Sequence, residues 1–352
     1  MRNALFLLLL AALPAQAAER KPIAQRLPRS FGGPAAFQVQ GGFVAMDPFD
    51  QVKEMGRGVN VLGYDPTWKD FSAARFKERH FQRIHEAGFQ TVRVVLQAFG
   101  HMDSRNKLDP AWLQTLDWVV KNGLANHLDV ILDEHDYNRC AKDVPSCRVK
   151  LLAFWSQVAP RYRDAPTSVI FEILNEPNRE LTPELWNGLL KEALAVIRKT
   201  NPTRNVIIGP AHWNSRDYLG QLELPADDRH IIVTVHYYDP MRFTHQGAEW
   251  NKETAHLSGI TWGSDEEKQR VDADFAPVQA WSKKEARPIF LGEFGAYDKA
   301  DMDSRARYIS CVARAAERLG WAWAYWQFDS DFVVYDMAKD DWVQPLLKAL
   351  VP

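Results

Sequence analysis

The chain has 352 residues, of which 46% are hydrophobic, and a formal net charge of −2. So balanced a charge excludes the basic footprint of a nucleic-acid binder, and the apolar content suffices for one large core. Thirteen Trp is a high count, and flat indole faces serve as stacking surfaces as well as core.

In chain order, the first element is MRNALFLLLLAALPAQAAER. Arg2 precedes an apolar run from Ala4 to Leu13, followed by Ala15-Gln16-Ala17. A charged start, a short apolar stretch and an A-x-A site read as a signal peptide over 1–17, cut after Ala17. The run falls short of the ~20 apolar residues that a membrane span requires. The expectation is a mature chain of 18–352, exported to a periplasm or the cell exterior, off the membrane and monomeric.

Eight apolar runs then recur, at 57–64, 90–97, 129–136, 169–176, 205–210, 231–239, 288–297 and 322–328. Helix-like stretches separate them. FKERHFQRIHEAG has apolar residues at helical spacing and ends in glycine, and TPELWNGLLKEALAVIRKT opens on Thr-Pro. Strands alternating with helices predict a parallel sheet. Eight units are the number that closes a (β/α)8 TIM barrel. A doubly wound open sheet is the alternative, but no GxGxxG follows the first run. The fold class is therefore α/β, one barrel over 18–352. The connection after the sixth run is oversized. It carries Phe243, Trp250 and Trp262, which argues for order and function.

Of the three cysteines, Cys140 and Cys147 lie close in CAKDVPSC, which reads as a loop that a disulfide can staple in an oxidising compartment. Cys311 falls in a helical pattern and is expected as a buried free thiol.

Barrel active sites lie at the C-terminal strand ends. The second run carries Arg93. The third ends in Asp133-Glu134-His135-Asp136 and the fourth in Asn175-Glu176. The sixth ends in His236-Tyr237-Tyr238, the seventh carries Glu293, and the eighth ends in Trp326. Singly these are weak signals: an arginine usually pairs and a tryptophan usually packs. Jointly they place two carboxylates, two histidines and aromatic rings at one mouth. That set suits glycoside hydrolysis, in which one carboxyl is protonated and the other ionised. Arg93 and Tyr238 are placed to hold one carboxylate as an anion. Asn175 is placed to grip a sugar 2-hydroxyl, and Trp326 to floor a sugar ring. The loop tryptophans Trp68, Trp213, Trp250 and Trp262 are candidates for outer sugar subsites. Trp112, Trp118, Trp155 and Trp186 fall in helices and are expected to pack.

The set Arg93, His135, Asn175, Glu176, His236, Tyr238, Glu293 and Trp326 resembles glycoside hydrolase family 5. HYYDPMRFTHQGAEW (236–250) and RPIFLGEFGAY (287–297) look like bacterial endo-β-1,4-glucanases of that family. The resemblance implies Glu176 as acid/base, Glu293 as nucleophile, retention through a covalent glycosyl-enzyme, a polysaccharide substrate, and neither cofactor nor metal. One position departs from it. Relatives often carry a second histidine after His135; here Asp136 stands there. That puts mannan acceptance in doubt and leaves Asp136 either on a sugar hydroxyl or on a cation such as Arg139. Glucan, mannan and xyloglucan remain alternative substrates. A metal-dependent hydrolase using the DEHD cluster, which EDTA would inactivate, and a sugar-binding barrel without turnover are the rival classes. Within these 352 residues no separate carbohydrate-binding stretch is visible, so the expectation is soluble or amorphous polysaccharide.

Overall fold

Parallel strands covered on both faces need near-continuous apolar sequence, and the eight runs supply it. The computed structural model describes residues 42–352. The predicted signal peptide and cleavage site therefore lie outside the described residues. The runs form β1 (Arg57–Val61), β2 (Thr91–Leu96), β3 (Asp129–Glu134), β4 (Val169–Glu172), β5 (Val206–Ile208), β6 (Ile231–Tyr237), β7 (Ile289–Phe294) and β8 (Ala322–Tyr325). Each pairs with its sequence neighbour, and β8 returns in parallel to β1, with Val59 opposite Tyr325, to close the barrel. The apolar runs overshoot the strands at their C-terminal ends. The run 169–176 stays on the ladder only to Glu172, because its last residues turn out to form the mouth.

Helices Glu78–Glu86, Pro110–Ala125, Val144–Arg161, Pro183–Arg198, Asp265–Glu285 and Met302–Arg318 surround the strands. Their starts are written in capping chemistry. Asp109, Asp143, Thr182, Ser264 and Asp301 each accept a hydrogen bond from a backbone N–H of the first turn, satisfying donors that the helix leaves orphaned.

Two cores result. The larger lies between strands and helices. The smaller fills the barrel's lower interior with Ile131, Ile170, Ile207, Ile232, Phe290, Ala322 and Ala324, and is plugged by Val52 and Met55 of helix Pro48–Met55. Also at the N-terminal end, buried Arg204 donates to the carbonyls of Tyr162, Ala165, Pro166 and Val169 at 2.7–2.9 Å and to Asn201 Oδ1 at 2.9 Å. One guanidinium thus ties the loop before β4 to the loop before β5.

The connection after β6 is ordered by its own anchors. Gln246 donates to the Ile260 carbonyl at 2.7 Å and accepts from its N–H at 2.9 Å. Phe243 and Trp262 pack on Tyr308. Cys140 and Cys147 are disulfide-bonded, with Cα atoms 4.7 Å apart. The expected loop is in fact helical on both sides, Tyr137–Cys140 and Val144–Arg161. Cys311 is a free thiol that is only partly buried, contrary to expectation, because its helix turns that face outward. Among the described residues no helix is long and apolar enough to cross a membrane.

Candidate active site

A buried guanidinium organises the mouth. Arg93 projects from β2 with no solvent exposure. It donates to both oxygens of Glu172 at 2.7 and 2.8 Å, to Asn60 Oδ1 at 2.9 Å, to Glu293 Oε1 at 2.8 Å and to Asn175 Oδ1 at 2.8 Å. Asp133 lies 3.0 Å away. One cation thus serves three carboxylates, and Arg93 is an organiser of the site rather than a surface that sugar can touch. Excess negative charge in a dry interior must be relieved by bound protons. Burial accordingly pushes Asp133 up to about 7 against the pull of Arg93, and burial also raises Glu172 against the same pull.

Glu293 sits on β7. Its second oxygen accepts from the Tyr238 hydroxyl at 2.9 Å. Burial raises its carboxyl, as does Glu176, while His236, Arg93 and His135 pull it back. Glu176 lies beyond β4 in a left-handed backbone conformation, φ 43°. It has no arginine of its own. Burial, helped by Asp133 and Glu172, pushes it up to about 8 against Arg93. Oxygens of Glu176 and Glu293 and a ring nitrogen of His236 all lie within 4.8 Å of one another. The two carboxyls therefore face each other in unequal surroundings.

His236 is aimed at this pair by a bulge. The register between β6 and β7 shifts between Val235 and His236, which re-aims the side chain. Its Nδ1 lies 2.8 Å from Glu176 Oε1 and 3.6 Å from Glu293 Oε2. Burial pulls its pKa down to about 4, so it is neutral. His135 is likewise pulled down to about 4 by burial. Its Nδ1 lies 2.6 Å from Asp133 Oδ2, and its Nε2 faces the Asn175 amide at 3.2 Å. The amide of Asn175 is thereby fixed at both ends. The Trp326 ring stacks on His135 with centroids 5.6 Å apart and planes within 8°, and keeps an 8% exposed edge.

The structure thus gathers Arg93, His135, Asn175, Glu176, His236, Tyr238, Glu293 and Trp326. Trp213 and Trp250 are 43% and 57% exposed, Trp250 with the Tyr297 ring 4.9 Å away. Trp68 and Trp262, expected as subsite residues, are core instead. Trp68 packs on Trp112 and donates to the Leu62 carbonyl at 3.0 Å. Trp262 is 2% exposed against Phe243 and Tyr308. Their loops fold back on the helix layer, and an apolar ring in a loop gains most by going with it. Asp136, left open between a sugar hydroxyl and a cation, takes protein partners here. Its Oδ2 accepts from the Phe99 N–H at 2.7 Å and its Oδ1 faces Arg139 at 3.0 Å. Of the two partners left open from sequence, the cation Arg139 is the one this geometry shows.

Asn60 and Glu172 were not singled out from sequence, and Asp133 was noted only as part of the DEHD cluster, not as a partner of Arg93. Their signal was a polar residue inside an otherwise apolar strand. Tyr64 and Tyr137 were missed as well. Desolvation of its hydroxyl, then the charges of Asp331, Glu293 and Glu176, raise Tyr64, whose side chain is 59% exposed overall; Tyr137, raised by burial, stands edge-on to His135 with ring centroids 5.3 Å apart. Tyr64 closes the first apolar run, and Tyr137 follows directly on the third. Among the described residues, Glu176, His236 and Glu293 are also the one group with metal-ligand spacing. His236 Nδ1 already has a hydrogen-bond partner in Glu176 Oε1 at 2.8 Å, and Glu293 is held by Arg93 and Tyr238.

A closed (β/α)8 barrel carrying facing carboxyls over a buried arginine is the architecture of a glycoside hydrolase. A model of the cellulase family, glycosyl hydrolase family 5, matches residues 52–331, and the chain belongs to that family. It is 31% identical over 319 residues, 87% of this chain, to endoglucanase H of Acetivibrio thermocellus, and spans only 34% of that relative's length. Two solved structures of Thermotoga maritima Cel5A are similar throughout. One, in complex with a mannotriose substrate, has TM-score 0.83 at 39% identity. The other, in complex with cellobiose, has TM-score 0.82 at 40% identity. Each comparison covers 87% of this chain and 100% of the other.

Proposed function

We propose that this protein is an exported, retaining endo-β-1,4-glucanase acting on β-glucan chains. The observation that carries the reading is the facing pair. Carboxyl oxygens within 4.8 Å of one another support the closer spacing of a retaining pair, about 5–5.5 Å between groups, over the wider spacing of an inverting one. Glu176, pushed up to about 8, is protonated at neutral pH. It gives that proton to the glycosidic oxygen as the C–O bond breaks. Glu293, bound by Arg93 and Tyr238, attacks the anomeric carbon and forms the glycosyl ester. Glu176, now ionised, takes a proton from water, which displaces Glu293 and restores both groups. Asn175, clamped between Arg93 and His135, presents its amide to the sugar 2-hydroxyl, a contact that strengthens in the transition state.

The Cys140–Cys147 disulfide supports export, since such bonds persist in oxidising compartments. The relatives supply the substrate class: an endoglucanase by name, and structures with cellobiose and mannotriose. Because Asp136 is engaged by Phe99 and Arg139, glucan is expected to be preferred over mannan.

Reducing-sugar release by the mature protein tests this, on carboxymethylcellulose, barley β-glucan, glucomannan, galactomannan, xyloglucan and xylan, with Glu293→Gln as control. Release from β-1,4-glucans with the β-anomer formed first, reduced at least ~10³-fold in the variant, is expected. Chief activity on mannan would replace the substrate assignment. No release from any polymer would overturn the endoglucanase reading.

A further inference from the structure

After β5 the chain does something that no propensity predicts. His212, Trp213 and Asn214 stand consecutively in the left-handed region, with φ of 56°, 60° and 53°. Single residues other than glycine visit this region rarely, and runs of them are rarer. Such strain persists only where the surroundings over-determine it, and it gathers at functional sites.

The contacts of this turn show what holds it. The Trp213 N–H donates to the Pro177 carbonyl at 3.2 Å, one residue beyond Glu176. The Asn214 side chain is fully buried, with its amide nitrogen 3.2 Å from His236 Nε2. Ser215 then forms a parallel bridge with His236 itself. Two glycines leave room for these groups. A Cβ on Gly209 would come within 2.1 Å of the Asn214 amide, and one on Gly292 within 3.0 Å of His236 Nε2. The left-handed turn therefore grips the Glu176 loop on one side and the His236 ring on the other.

We propose that Asn214 is a positioning residue for the acid/base, which it reaches through His236. This inference rests on the assignment of Glu176 as acid/base. The Asn214 amide donates to Nε2, so the imidazole proton is placed on Nδ1. Nδ1–H then points at Glu176 Oε1, 2.8 Å away. A fixed donor on that oxygen orients the carboxyl and favours its ionised form, which the second half of the reaction needs in order to accept a proton from water. The other titratable groups facing this pair are Arg93 on β2, Asp133 and His135 at the end of β3, Glu172 on β4, Glu293 on β7, and the hydroxyls of Tyr64, Tyr137 and Tyr238. Asn214 is the neutral member that touches Nε2.

Three arms test this. The first is ¹⁵N NMR of the histidines in the wild-type protein at neutral pH, with His236 assigned by its loss in His236→Gln. A protonated Nδ1 and unprotonated Nε2 are expected; a protonated Nε2 overturns the proposal. The second is the alkaline limb of kcat/KM for Asn214→Ala and Asn214→Asp. Alanine frees the tautomer, and aspartate, which can only accept, forces the proton onto Nε2 and leaves a lone pair facing Glu176. The limb should move up by about half a unit in the first and further in the second; superimposable profiles overturn the proposal. The third compares aryl cellobiosides. Asn214→Ala should lose about tenfold on the phenyl substrate and under about threefold on the dinitrophenyl one, whose leaving group needs little acid help. Equal losses would mean a structural role only. Glu176→Ala run beside it separates the two readings. If that variant also loses equally on both substrates, the acid/base assignment fails; if it shows the leaving-group split and Asn214→Ala does not, this inference alone fails.

Discussion

Burial pushes the Glu176 carboxyl up to about 8 in the folded chain, against 4.5 as its ordinary value. Its raised pKa makes it an acid at neutral pH and also a burden on the fold. Below about 4.5 the group is protonated in both folded and unfolded chains and the burial penalty vanishes. As pH rises through 4.5 toward 8, the unfolded chain releases the proton first, and stability falls across that window. Glu176→Gln should therefore stabilise the protein at pH 7 by on the order of 2 kcal/mol, and by much less at pH 4.5. Denaturant unfolding at the two pH values measures this; equal stability of variant and wild type at pH 7 would contradict it. Activity should show the same group from the other side. The proton must be present for the first step, so kcat/KM should fall as pH rises through about 8 on substrates with poor leaving groups. A limb that stays level to pH 9.5 would refute the assignment. At this scale the sequence was generous: a carboxylate at the end of a greasy strand is unusual enough to be noticed. Which carboxyl keeps its proton was not legible, because it depends on Arg93 binding Glu293 directly and Glu176 not at all.

Among elements, the stretch after β3 and the turn after β5 behave oppositely. The pairing of Cys140 with Cys147 was legible from their closeness, although the expected loop is helical at both ends, Tyr137–Cys140 and Val144–Arg161, and the disulfide joins these helices seven residues apart. Closing so small a loop contributes about 2–3 kcal/mol on the loop-entropy argument. A Cys140→Ser/Cys147→Ser double variant should lose about 2 kcal/mol in denaturant unfolding, and dithiothreitol should do the same to the wild type. No change in either would mean that the helices hold without the bond. The turn 211–214 was not legible, since nothing in AHWN encodes three left-handed residues; only the grip on Pro177 and His236 imposes them. The oversized connection after β6 was legible as ordered but not in its layout. Phe243 and Trp262 turn inward while Trp250 stays out, a choice set by which faces the helix Met302–Arg318 offers.

The whole molecule divides its work between two ends. The C-terminal mouth holds carboxyls at raised pKa, strained backbone and exposed indoles. The N-terminal end holds the apolar plug and Arg204, whose donors satisfy five carbonyls and Asn201. Arg204→Met should lose about 3–5 kcal/mol, since buried acceptors are left without donors. Turnover at 25 °C should be unchanged, because the site lies at the opposite end. A parallel loss of kcat would show that the two ends are coupled. Arg204→Lys should recover only part of the stability, having three donors in place of a planar fork of five. The eight apolar runs, their alternation with capped helices and the polar residues at their C-terminal ends determined the barrel and the identity of most mouth residues. These are local patterns, and a local pattern survives in one dimension. Depth and distance do not. That Trp68 and Trp262 are core while Trp213 and Trp250 face solvent, that Asp136 spends its oxygens on Phe99 and Arg139, and that Asn60, Asp133 and Glu172 share one arginine were decided only when the sheet closed. Closure brings residues from eight separate strands to one side, and burial then sets which of their charges can be kept.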